Sequence, residues 1–178
     1  MRLFVSAFAL SAIAMMAMAA PSVARDGDDA FFKKVTGKWS GPGEIVAGKY
    51  KGTKFTCQLD GTNPATATGL TMEGTCRVGV FSQPMKATVM RGGASYKGSF
   101  LDGAEGKGLN ITAGNIAGNR ATFSLNRKQL NGAMLAKLTD DDAMNVTISV
   151  RVDKEMVPVI GMSLTRVDGT ATGAIAKN

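Results

Sequence analysis

Few side chains in this sequence can do chemistry, and the first fact about them is a gap: among 178 residues there is no histidine. Ser-His-Asp and Cys-His nucleophile activation are thereby excluded, together with most zinc sites, which draw on imidazole. The acidic residues do not pair at spacings suited to general acid–base work. Their one run, Asp140-Asp141-Asp142, lacks the spaced oxygen ligands and the glycine of a calcium loop, and it reads as a solvated turn. Met72, Met85, Met90, Met134, Met144, Met156 and Met162 resemble a soft-metal set only by type. Most fall on apolar strand faces far apart in the chain, where adaptable packing or the lining of a forgiving apolar pocket explains them better. No catalytic residue, metal or cofactor is assigned, and the protein is expected not to be an enzyme.

Two arginines are better candidates. Phe123 and Leu125 share strand parity with Arg127, and Met162 and Leu164 share it with Arg166. Both guanidiniums are thus set on an apolar face near a strand end. Turned inward, a guanidinium needs a partner, and a ligand carboxylate or phosphate meets it in bidentate geometry. The alternative is that each strand has ended and its arginine turns into solvent. Tyr50 and Tyr96, the chain's two tyrosines, add hydroxyls to such a site.

The remaining reactive groups are Cys57 and Cys76. Phe55, Cys57 and Leu59 alternate with polar neighbours, as do Leu70, Met72, Gly74, Cys76 and Val78, so each cysteine lies on the apolar face of a strand. Asp60-Gly61-Thr62-Asn63-Pro64 turns the chain between them. A hairpin sets Cys57 opposite Cys76 at a separation a disulfide tolerates, and closing that loop stabilises by roughly 3 kcal/mol in the chain-entropy model.

The elements that hold these groups follow one pattern. From Trp39 onward almost every apolar run has a period of two, most clearly in Met144, Val146, Ile148, Val150 and Val152. The count is about ten strands joined by short turns, with Asn131-Gly132 as the strongest two-residue hairpin signal. Antiparallel strands with one apolar face must close or stack to hide it, and short sequential connections favour a single meander β-barrel. The only helix expected is short, capped by Asp28 or Asp29, with Phe31 and Phe32 closing one end of the barrel.

The start of the chain has the layout of a secretory signal peptide. Arg2 precedes an apolar stretch from Leu3 to Ala20, and Ser22-Val23-Ala24 supplies small residues at a cleavage site. The expected division is a leader over residues 1–24, a barrel domain over 25–168 and a flexible tail over 169–178, with a periplasmic or secreted location. An even cysteine count fits an oxidising compartment. Removing Arg2 with the leader leaves 20 Lys+Arg against 14 acidic residues, a net charge of +6. Such an excess favours an anionic envelope component. Dispersed charge and the lack of a stacked aromatic platform speak against nucleic acid, and no second apolar run suggests a membrane span.

One stretch resembles a known family. Gly37-x-Trp39-x-Gly41-x-Gly43, followed by Tyr50, is similar to the opening of the lipocalins and wider calycins, and in its longer form to the nitrobindin-type ten-stranded barrels. The resemblance covers about twenty residues, and it implies a tryptophan packed across the barrel floor and a lumen for a small apolar ligand or haem. The haem branch loses its footing here, because the family's proximal histidine has no counterpart. The expectation is therefore an exported all-β barrel that binds a small apolar or anionic amphipathic molecule in its lumen. The alternative is an envelope interaction protein whose barrel is filled and whose basic outer surface does the work.

Overall fold

The computed structural model describes residues 23–101 and 108–167. Most of the expected leader and all of the expected tail therefore lie outside the described residues. One helix, α1 (Val23–Val35), precedes ten strands: β1 (Gly37–Ile45), β2 (Lys54–Thr62), β3 (Gly69–Val78), β4 (Phe81–Gly92), β5 (Ser95–Leu101), β6 (Leu109–Ala117), β7 (Arg120–Arg127), β8 (Leu130–Leu138), β9 (Ala143–Val152) and β10 (Glu155–Arg166). Each strand pairs antiparallel with the next, and β1 also pairs with β10, so the sheet closes as a meander barrel. Closure follows from the alternation: every second side chain is apolar, and a closed sheet hides that face while leaving no unpaired edge. Pro158 sits where the β9–β10 register shifts, as a residue without a ladder donor should.

One hairpin turns at a different place from the expected one. Between β7 and β8 the chain reverses at Lys128–Gln129, with Lys128 at φ 53°. Asn131 and Gly132 lie inside β8, paired with Asn126 and Leu125. A Cβ on Gly132 would come within 2.5 Å of the Ser149 carbonyl oxygen on β9. That glycine serves close strand packing, not a turn.

The helix is longer than expected and starts earlier. It spans 13 residues, and the expected cleavage boundary after Ala24 falls within its first turn. Asp28 does not cap it. Asp28, Phe31, Phe32 and Val35 form an i, i+3, i+4, i+7 stripe, and all four are buried against the barrel end. Phe32 meets the Tyr96 ring edge-on at 5.5 Å, and Tyr96 meets Phe123 in the same way at 6.0 Å. The polar member of the stripe has its own partners. The Tyr96 hydroxyl donates to Asp28 Oδ2 at 2.6 Å, and Arg91 Nη1 donates to the same oxygen at 2.5 Å.

The last carbonyls of α1 have no intrahelical donor, and the barrel supplies donors for them. Trp39 Nε1 donates to the Val35 carbonyl at 2.9 Å. Arg166 Nη1 donates to the Thr36 carbonyl at 2.7 Å, Nη2 donates to the Lys34 carbonyl at 2.5 Å, and the guanidinium lies 4.4 Å above the indole. The expected floor tryptophan is there, buried to 1% exposure. Its neighbouring glycines make room: Gly37 takes φ 109°, while Cβ atoms on Gly41 and Gly43 would run into the Ser163 carbonyl and the Phe55 ring.

Cys57 and Cys76 face each other across β2 and β3, with a Cα–Cα separation of 4.0 Å, and form a disulfide. Both are buried on the inner face, where Cys57 Sγ lies 3.9 Å from Met162 Sδ.

Two outcomes test these anchors. Urea unfolding of Cys57→Ser/Cys76→Ser should show a loss of about 3 kcal/mol relative to the oxidised chain, as expected for freeing a loop of this length. The Tyr96 phenol is pushed well above its ordinary value, first by burial, then by the hydrogen bond to Asp28 and by its charge. The folded state thus holds this proton more tightly than the unfolded state. Its stabilisation is complete below about pH 10 and declines as pH rises beyond it. In a Tyr50→Phe variant, whose only tyrosine is Tyr96, phenolate absorbance should therefore appear well above pH 10. Adding Asp28→Asn should lower that midpoint and cost about 2–4 kcal/mol in stability, because Arg91 loses a partly buried partner.

Candidate functional site: the barrel lumen

Inward side chains do not fill the barrel. Directly beneath α1 lies a cavity of about 90 Å³, lined only by apolar side chains. Phe31, Phe32 and Val35 form its roof, and its wall includes Met72, Met134, Met144 and Met162 from four different strands. Ala87 and Ala136 also face this space. Alanine at such positions removes volume that a leucine would occupy, so the cavity follows from side-chain size. Four of the methionines expected to line a forgiving pocket do line it.

A second chamber of about 160 Å³ lies farther along the axis, toward the end that has no helix. Met85, Leu125, Ile148, Val159 and Ile160 contribute apolar wall, and Arg127 stands among them. Phe100 lines both chambers. The parity argument explains Arg127: the alternation of Phe123 and Leu125 holds to the last residue of β7, and the chain turns only at Lys128. A larger hollow of about 450 Å³ lies beside β1–β3, but Lys38, Gln58, Asp60 and Glu73 line it and it opens to solvent. It is a surface groove between charged side chains.

The four sequence candidates do not form one site. Arg127 alone stands in the wall of the lumen's outer chamber. Arg166 has the inward parity expected of it but sits at the opposite, helix-closed end, where its donors serve α1, the Asp141 carbonyl and Asp142. It is a structural clamp, because any strand end at the floor meets helix carbonyls before it meets a ligand. Tyr96 is also at the floor, buried under α1 with its hydroxyl given to Asp28. Its raised pKa keeps it protonated, so it offers no base. Tyr50 is outside the barrel, in the β1–β2 connection, 63% exposed with the Lys49 ammonium 5.5 Å from its ring centre.

The sequence reading passes over Arg91 and takes Asp28 only as a helix cap. The parity test that selects Arg127 also selects Arg91, which follows Met85, Ala87 and Val89. Asp28 shows itself in the helical spacing it shares with Phe31, Phe32 and Val35. The aspartate run behaves as a turn. Asp142 N–H donates to Asp140 Oδ1 at 2.8 Å, Asp141 pairs with Lys34, and Asp142 pairs with Arg166. The Lys34 hydrogen bond and charge hold the Asp141 carboxyl below its usual range. Three carboxylates with three different partners do not converge on a point.

No protein-family model matches this chain. No curated protein matches it significantly. The fold has a counterpart among solved structures: the crystal structure of Rv2717c from M. tuberculosis is similar with a TM-score of 0.57 and 12% sequence identity, over 79% of this chain and 97% of that one. The likeness is one of fold, a ten-stranded antiparallel barrel shared at a sequence identity too low to carry more.

Proposed function

We propose that this protein is a non-enzymatic carrier or receptor that holds a small apolar or amphipathic molecule in the barrel lumen. The observation that carries the reading is the unfilled lumen: an apolar cavity of about 90 Å³ and a second chamber of about 160 Å³ on the same axis. For scale, an engineered apolar cavity of about 150 Å³ stays dry and takes up benzene or xenon. The wall methionines adapt to an occupant because the thioether chain has three rotatable bonds. Polarity along the axis suits an amphipathic molecule, with its tail toward α1 and an anionic head beside the Arg127 guanidinium.

Export to the periplasm or the exterior belongs to the same proposal. The leader-like first 24 residues support it, as does a disulfide, which persists in oxidising compartments. No helix among the described residues is long and apolar enough to cross a membrane. The alternative, an envelope interaction protein acting through a basic outer surface, has one observation in its favour: the unpaired lysines of the helix-free end, among them Lys51 and Lys128.

The reading is tested by titrating the folded protein with benzene and, separately, with octanoate, followed by NMR shifts of the methionine methyl groups. Both probes should shift Met134 and Met144. Arg127→Gln should weaken octanoate by about tenfold, the loss of one charge-assisted contact, and leave benzene unchanged. Ala136→Phe, which places a ring in the inner cavity, should abolish both. No shift at the inner methionines with either probe removes the proposal.

A further inference from the structure

The two ends of the barrel differ in a way that lumen binding does not explain. Among the described residues, ten large hydrophobic side chains are exposed, and nine of them lie at the end away from α1. Val80 is 90% exposed and Phe81 78%, both at the β3–β4 turn. Val46 and Tyr50 sit in the β1–β2 connection, Leu130 beside the β7–β8 turn, and Val152 beside the β9–β10 turn. Isolated exposed apolar residues need no explanation, but a ring of them on the turn tips of one barrel end does.

Charge is distributed in the same sense. Among the described residues, Lys49, Lys51, Lys54, Arg77, Lys128 and Lys154 surround these tips, against the carboxylates Glu44, Asp153 and Glu155. Ion pairs among the described residues are elsewhere. Lys34–Asp141, Arg91–Asp28 and Arg166–Asp142 lie at the helix end, and Lys86–Glu73 lies on the wall. The rim lysines make none. Apolar tips framed by unpaired cations match the two layers of a bilayer surface, an acyl boundary beneath anionic headgroups. Tyr50 with Lys49 beside its ring is the pairing found where one end of a side chain is apolar and the other wet.

We infer that the helix-free rim is a docking face for an anionic lipid surface, with Val80 and Phe81 as the inserting residues and the surrounding lysines as headgroup contacts. This goes beyond lumen binding and does not require an occupied lumen. A bilayer is chosen over a protein partner because the apolar tips project from separate turns and are framed by cations. They lie at one end of the barrel, where a deformable, negatively charged surface meets them together.

The test is co-sedimentation of the folded protein with vesicles of phosphatidylcholine, alone or mixed with phosphatidylglycerol, at low and raised salt. Binding should require phosphatidylglycerol and weaken with salt. Val80→Ser/Phe81→Ser, which alters only exposed side chains, should weaken it by about tenfold or more. Lys51→Glu/Lys154→Glu should weaken it by more than the roughly fivefold expected for losing one surface cation. Arg120→Glu/Lys137→Glu, a matched reversal at the helix end, should leave it unchanged. The inference is overturned by failure to bind phosphatidylglycerol vesicles, or by an equal loss in the helix-end variant. It is also overturned if the rim substitutions abolish only self-association seen in sedimentation velocity, or only binding to soluble polyphosphate. Loss of benzene or octanoate binding, with vesicle binding intact, would fall on the lumen reading alone.

Discussion

The carbonyl end of α1 is where the barrel is sealed, and the seal depends on which two strands close the sheet. Trp39 begins the first strand and Arg166 ends the last, and they become cross-strand partners only when β1 pairs with β10. Once adjacent, the indole and the guanidinium stack and together donate to three carbonyls of the segment 34–36. Closing the barrel and anchoring the lid are therefore one event. A helix end buried without such donors would cost several hydrogen bonds in desolvation, enough to make an open barrel with a detached helix competitive. The hydrophobic stripe of Phe31, Phe32 and Val35 brings α1 to the end of the barrel. The donors of Trp39 and Arg166 hold its carbonyl end there.

A second lock acts on the other side of the helix. Asp28 is nearly buried and bonded to both Arg91 and Tyr96. Such a group rarely adds net stability over an apolar substitute, but it fixes orientation, since a helix rotated by one residue would bury the carboxylate without its partners. The floor therefore has two specific polar contacts within an aromatic cluster. At the other end Arg127 stands in the wall of the outer chamber.

Much of this architecture was legible in the residues, because a closed antiparallel sheet imposes a period of two and its turns break that period visibly. The strand count and the Cys57–Cys76 register follow from alternation plus turn chemistry, and the floor position of Trp39 is what the resemblance of its glycine-rich stretch implies. Parity, however, states only that a side chain points inward. It does not say at which end of the barrel, so Arg127 and Arg166 look equivalent in sequence and act in opposite places. Asn131-Gly132 misleads for a related reason. A glycine is wanted both by tight turns and by close backbone approach, and at Gly132 the Ser149 carbonyl on β9 creates the second demand while Lys128 accepts the positive φ. Asp28 misleads because aspartate before an apolar run is the usual mark of a helix start. Only the tertiary partners Arg91 and Tyr96, more than sixty residues away, turn it into a buried member of the stripe.

The asymmetry of the ends also orders the two proposals. A molecule reaching the inner cavity from the helix side must break the Asp28 cluster, the aromatic stack or the carbonyl clamp, each of which is tied to the others through α1. The opposite route passes the outer chamber and Arg127 toward the rim that bears Val80, Phe81 and the lysines. If that rim rests on a lipid surface, the apolar lumen opens toward the acyl layer. An amphipathic molecule could then pass between bilayer and barrel with its tail continuously shielded and its anionic head kept among cations. Moving an acyl tail through water costs about 0.8 kcal/mol per methylene. A carrier with its mouth against the bilayer avoids most of that cost, and one whose mouth faces water does not. Apolar tips and cations gathered, among the described residues, at the helix-free end are the distribution this argument requires.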